Sequence, residues 1–379
     1  MNKRTTSAGL AALLLVAACT DAVGPARHAP DAPRFATQAP GTGIVLDQMN
    51  GTLHESGTML IKGFNPTNPH NGDAIVVTFS WLGSTNTIDS VTDVLTTTPY
   101  TPVGNKYTLV SYVTAGGISM ATYVATNVQN FPDAYSDPAG TYILAVRANF
   151  SAPVSGGILM SAWSGVNTVA AQALGASSKA SGSGATPTVA DPGPVAVGAG
   201  ALAYAMTLSN GLVDHTPPSG YTILAEQSDA SQGLIGEAIY TVPASTGSLD
   251  PQWTWYFNSP STWLATALVL NPPLHLAFTV QPSTTMPLLT IRPAVQVTVL
   301  DALGNPATSF SGQVTVAIGL NGGLLAPGTL SGTKTVTVVN GVATFADLSI
   351  DQLGNGYTLV ASATTTSGTA SAPFNIGPL

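Results

Sequence analysis

Ala74-Ile75-Val76-Val77-Thr78-Phe79-Ser80-Trp81 decides how this chain is read. It is a short run of β-branched and aromatic residues, entered from Gly72-Asp73, with no helical period. Runs of this kind between turn clusters are β-strands. Further ones follow at Tyr107 to Val113, Ser119 to Val128, Tyr142 to Phe150, Ile158 to Trp163, Val195 to Thr207 and Trp263 to Leu270, separated by Gly, Pro, Asn and Ser. Nothing in the chain sustains a 3.6-residue period, so the expectation is an all-β protein built as packed antiparallel sheets.

Composition agrees. Charged residues make up only 7% of the 379 positions, against about a quarter in ordinary soluble chains. The length allows more than one domain with its own core. A single cysteine, Cys19, excludes an internal disulfide. Without Lys3 and Arg4 the remainder carries 8 basic and 18 acidic residues, a net charge of 8 − 18 = −10. Nucleic acid and anionic lipid surfaces are therefore poor partners, because phosphate binding needs clustered Lys and Arg.

The N-terminus has an export pattern. Lys3 and Arg4 precede an apolar run from Ala8 to Ala18, which is too short to span a bilayer but fits a signal peptide over residues 1–18. Val16-Ala17-Ala18-Cys19 resembles the lipobox of bacterial lipoproteins, and the resemblance implies lipidation of Cys19 and a membrane partner through that lipid. An ordinary signal with an incidental cysteine is the competing reading. Thr20, rather than an aspartate, follows the cysteine, which within that family implies the outer membrane or cell surface. Residues 19–43 hold Pro25, Pro30, Pro33 and Pro40 without apolar periodicity and read as a tether. Extended at about 3.1 Å per residue, it would reach roughly 70 Å.

Residues 44–273 form the first folded unit. Two stretches echo each other: Tyr142 to Phe150, then Ser151-Ala152-Pro153, then Ile158 to Trp163; and Trp253 to Phe257, then Asn258-Ser259-Pro260, then Trp263 to Leu268. Each is a strand, a Phe-x-x-Pro turn and a second strand, and Ser119 to Val128 and Gly236 to Val242 precede them in matching places. The expectation is two similar halves of one sandwich. The layout of Gly72 to Val77, Ile88 to Asp93, Tyr100-Thr101 and Tyr123 to Ala125 resembles the concanavalin-type jelly-roll modules of bacterial surface and phage-tail proteins.

Asn271-Pro272-Pro273 marks a boundary, since two prolines cannot continue a central strand. In residues 274–379, Phe278 to Ser283, Pro293 to Asp301, Gly304-Asn305, Val339 to Phe345 and Gly356 to Ala361 resemble the bacterial immunoglobulin-like repeats of adhesins and secreted enzymes. Val295, Val297 and Val299 fall on one strand face with Gln296 and Thr298 on the other, and Asn340-Gly341 predicts a type I′ hairpin. The fold expected is an antiparallel jelly-roll sandwich followed by an immunoglobulin-like sandwich.

Chemistry is sparse. Glu226 and Glu237 flank a turn near Ser231-Gln232, and opposed on a hairpin they would stand at the carboxylate spacing of a retaining glycosidase. Like charges directly opposite are unfavourable, so a slipped register with both in solvent is the simpler expectation. The Glu-x-Asp-x-x-Glu run of concanavalin-type glucanases is absent. Asp133 and Asp137 share a loop and could donate oxygens to a structural calcium, as could Asp89 and Asp93 on one strand face. Trp253, Trp255 and Phe257 read as core, leaving Tyr256 on the opposite face as the candidate for stacking on a sugar. Gly198-Ala199-Gly200 imitates a dinucleotide fingerprint but lacks the helix that would follow, and is better explained by close sheet packing. The five histidines show no zinc spacing, and Gly-x-Ser-x-Gly is missing.

Taken together, these features imply a lipid-anchored surface binding or adhesion protein presenting its sandwiches to a polysaccharide or protein. The alternatives are a carbohydrate-active enzyme using Glu226 and Glu237, and a structural envelope component.

Overall fold

A computed structural model describes residues 43–133, 135–185, 187–308, 310–363 and 366–378. Residues 1–18, Cys19 and all of the 19–43 tether but Gly43 lie outside the described residues. The chain is nearly all β, with 56% of it in strands and, among the described residues, one four-residue helix, α1 (Ala170–Ala173). No described helix is long and apolar enough to cross a membrane.

The first strands are β1 (Val45–Gly63), β2 (Ala74–Leu82), β3 (Ile88–Leu95), β4 (Thr101–Pro102), β5 (Thr108–Ala115), β6 (Ile118–Ala125) and β7 (Leu144–Ser164). They make a seven-stranded sheet in the order β4-β3-β7-β2-β6-β5, with β1 also on β7. β1 and β7 are long enough to belong to two layers. The first part of β7 pairs with β3 and the end of β1, while Gly156 onward pairs with β2 and the start of β1. Pro153 sits at the bend, just beyond Phe150. A side chain at Gly156 or Gly157 would collide with the backbone of Ser80 or Thr52, so glycine is required where β7 passes between its neighbours. Between the layers lie Ile75, Val77, Phe79 and Trp81 of β2 with Leu60, Val146, Phe150 and Met160. The deciding stretch is thus buried on both faces.

The next strands are β8 (Leu174–Gly184), β9 (Thr188–Ala190), β10 (Val195–Val197), β11 (Leu202–Ser209), β12 (His215–Thr216), β13 (Thr222–Asp229), β14 (Leu234–Thr241), β15 (Gly247–Leu249), β16 (Trp253–Trp255) and β17 (Ser261–Leu270). Five of them form a sheet in the order β13-β14-β11-β17-β8, and β5-β6-β2-β7-β1 repeats that order in the first half. The sequence echo has this physical form: β6 corresponds to β14, and the strand after each Phe-x-x-Pro corresponds to its counterpart. The two equivalent sheets face each other across one core, where Val76, Met120, Leu159 and Trp163 meet Tyr204, Met206, Leu264 and Leu268. Thr78, on the same face of β2 as Val76, joins Thr122 at 2.9 Å and the Tyr204 hydroxyl at 3.5 Å. On the outer side of the second sheet, the short β12-β16-β9 and β10-β15 sheets cover a core of Trp253, Trp255, Phe257, Ile239 and Ala267.

After Asn271-Pro272-Pro273 come β18 (Leu274–Val280), β19 (Val295–Leu300), β20 (Gln313–Ile318), β21 (Leu330–Ser331), β22 (Thr335–Thr337), β23 (Val342–Phe345), β24 (Ser349–Ile350), β25 (Gly354–Tyr357), β26 (Leu359–Ala363), β27 (Thr366–Ala370) and β28 (Phe374–Ile376). A seven-stranded sheet, β22-β20-β26-β27-β18-β19-β23, and two small pairs enclose a separate core containing Val295, Val297, Val299, Phe345 and Tyr357. Asn340 and Gly341 both have positive φ, 50° and 82°, and Val339 and Val342 exchange backbone hydrogen bonds across them, as a type I′ turn requires.

Candidate functional site

Glu226 stands directly opposite Glu237 in the β13–β14 ladder. The slipped, solvent-facing register expected from like-charge repulsion is therefore corrected. Glu237 is only 1% exposed, and a buried carboxylate persists only with hydrogen-bonding partners. Trp253 Nε1 donates to its Oε1 at 2.8 Å, and His215 Nε2 lies 3.1 Å from its Oε2. Glu226 stays exposed at the rim. His215, Glu226 and Glu237 each bring a ligand atom within 4.8 Å of the others. His215 is positioned by β12, which pairs with β16, and its ring tilts against Trp255 at 4.4 Å. A glycosidase needs both carboxylates open to a sugar. Here one carboxylate is buried against Trp253 and His215, and only the other meets solvent.

A second cluster was not visible as a set in the sequence. Asp47 on β1 and the His70-to-Asp73 turn meet so that Asp47, His70 and Asp73 also hold ligand atoms within 4.8 Å. The His70 amide donates to Asp47 Oδ2 at 3.0 Å and to Asp73 Oδ2 at 3.2 Å, and His70 Nδ1 is 2.9 Å from Asp47 Oδ2. Asp47 and Asp73 are 0% and 3% exposed. Burial, with the hydrogen bond and charge of Asp47 added, pushes Asp73 up to about 9. The raised value keeps the Asp73 carboxyl protonated at neutral pH.

The calcium candidates are occupied with turn-making. Asp133 Oδ1 accepts the Ser136 amide and hydroxyl, both at 2.9 Å, and its Oδ2 accepts from Asn71 Nδ2 at 3.3 Å. Burial works to raise this carboxyl, but the Ser136 and Asn71 donors outweigh it and hold it below the usual range. Asp137 Oδ2 takes the Tyr142 amide at 2.9 Å. Asp89 and Asp93 do not share a face as expected, because the ladder slips between Ile88 and Ser90. Asp89 is exposed, whereas Asp93 is buried and caps the Gly104 and Asn105 amides at 3.0 and 3.1 Å.

Trp253, Trp255 and Phe257 are core, the last two stacked at 5.5 Å. Tyr256 is 45% exposed, with its hydroxyl 3.1 Å from Thr216 Oγ1. Gly200 serves a turn rather than sheet packing: its φ is +73°, and a side chain there would press on Leu303. Another surface feature has no local signature in the sequence. β18 leaves Leu274 and β19 returns to it, so the 281–294 loop lies at the far pole of the C-terminal unit. β27 starts beside Leu274 and its partner β26 runs the opposite way, which puts the 319–330 and 351–358 segments at that pole as well. Leu288, Leu289, Leu320, Leu324, Leu325 and Leu353 are all exposed there, Leu325 at 95%. Leu324 N to Leu353 O at 3.0 Å and Leu288 N to Ile350 O at 2.8 Å tie the loops together.

Comparisons with protein-family models, with curated proteins and with solved structures returned no match.

Proposed function

We propose that this chain is a lipid-anchored cell-surface binding protein. Cys19 carries the lipid, residues 20–43 supply reach, a jelly-roll unit stands above them, and the immunoglobulin-like unit that follows meets a protein partner. The observation that carries the reading is the leucine-rich pole at 281–294, 319–330 and 351–358. Side chains with this much apolar area are seldom grouped at one end of a folded unit unless something covers them. Aliphatic tips offer a sugar neither stacking faces nor hydrogen bonds, so the pole favours a protein surface over a polysaccharide. The carbohydrate-active alternative has no comparable support, since Glu237 is enclosed.

The test has two arms. Metabolic labelling with a tagged fatty acid should mark the wild-type chain and not Cys19→Ser. Cells displaying the chain should bind a protein-coated surface or one another, and the paired change Leu324→Ser and Leu325→Ser should remove most of that binding at unchanged surface expression. Unchanged binding in the leucine variant refutes the pole, and glycan-array binding lost with Tyr256→Ala would move recognition to a polysaccharide.

A further inference from the structure

The chemistry around Glu237 is unusual for a merely structural acid. His215 Nε2 is 3.1 Å from Glu237 Oε2, yet it makes no hydrogen bond to that oxygen, and it is a buried nitrogen without another hydrogen-bond partner. The side chains are 4% and 1% exposed. A nitrogen beside a carboxylate oxygen, but not pointed at it, is the relation of two ligands that converge on a third point. For a first-row divalent ion with bonds of about 2.0–2.2 Å, neighbouring ligand atoms stand about 2.8–3.1 Å apart at a right angle and about 3.3–3.6 Å apart at the tetrahedral angle. The observed 3.1 Å lies at the junction of the two ranges, a short tightening from the tetrahedral one.

We propose that His215, Glu226 and Glu237 form a zinc-class divalent cation site. His215 supplies imidazole and Glu237 a carboxylate from inside the layer, and Glu226, opposite it in the ladder, closes the site from the solvent side. The surrounding contacts fit that role. Trp253 Nε1 holds the other oxygen of Glu237 at 2.8 Å, and Trp255 braces the imidazole at 4.4 Å, the kind of outer contact that orients metal ligands. Three protein ligands with one exposed edge leave a position for water. A cation also resolves the like-charge opposition of the two glutamates, which the ladder otherwise has to tolerate. The Asp47–His70–Asp73 cluster is a weaker candidate, because its histidine nitrogen is already hydrogen-bonded to Asp47.

The experiment titrates the EDTA-treated, purified full chain with zinc by calorimetry, and with cobalt by visible absorption. One equivalent of zinc per chain is expected, with a cobalt spectrum of four-coordinate intensity. Glu226→Gln, an exposed change that relieves the like-charge opposition and so leaves the metal-free melting temperature no lower than the wild type's, should weaken zinc binding at least about tenfold. The proposal is overturned if the wild type takes up no zinc, if Glu226→Gln binds as tightly as the wild type, or if binding is abolished by Asp73→Asn instead.

Discussion

Asp73→Asn should flatten the pH dependence of stability. In the native protein, burial and the neighbouring Asp47 carboxylate raise Asp73 from 3.8 to about 9. A raised carboxyl means the folded chain holds a proton that the unfolded chain has released. The stabilisation it reflects is complete below about pH 4 and is lost as pH climbs towards 9. One proton of difference is worth about 1.4 kcal/mol per pH unit, so from pH 5 to pH 8 the loss is at most about 4 kcal/mol. Asparagine keeps the shape and the donor of a protonated acid and does not titrate, so this slope should vanish. Urea unfolding at pH 5, 6, 7 and 8 measures it: the wild-type midpoint should fall steeply relative to the variant, with the two nearest each other at pH 5. Parallel curves would refute the reading that Asp73 stays protonated in the folded chain.

Leu264→Ala, in the core between the two equivalent sheets, should cost about 2–5 kcal/mol in urea unfolding. In metal-free protein, Trp253→Phe removes the indole donor to buried Glu237 and should destabilise by about 1–3 kcal/mol by the same measurement. Asp93→Ala strips the cap from Gly104 and Asn105, and hydrogen exchange at those two amides should quicken while the β2 amides stay protected. The hydroxyl of Ser231 and the contact with His54 hold Asp229 down to about 2, so its carboxyl resonance should titrate near there, and Ser231→Ala should move it upward.

Strand content was legible because β-branched runs between glycine and proline turns leave little else to form, and Asn340-Gly341 fixed a hairpin through local backbone preference alone. The repeat could be read from Phe150 to Pro153 and Phe257 to Pro260, since a bend before a central strand constrains the same positions twice. The sites were harder. Glu226 and Glu237 lie on one hairpin, where counting across the turn opposes them, but like-charge repulsion points to a slipped register that the ladder does not adopt. The burial of Glu237 does not follow from that count, because it depends on Trp253 and on His215, which arrives from a different sheet. Asp47, His70 and Asp73 likewise come together only when β1 folds against the turn before β2. The slip at Asp89 is a bulge that residue types do not announce. The leucine pole leaves no local pattern because its members are spread over three loops.

The shared order of the two facing sheets has a consequence for how the molecule is made. Synthesis from the N-terminus completes Ser164 before Leu202 exists, so the surface bearing Val76, Met120 and Leu159 is wet until its counterpart emerges. The interval between the two halves is therefore when the chain has the most apolar surface to shield.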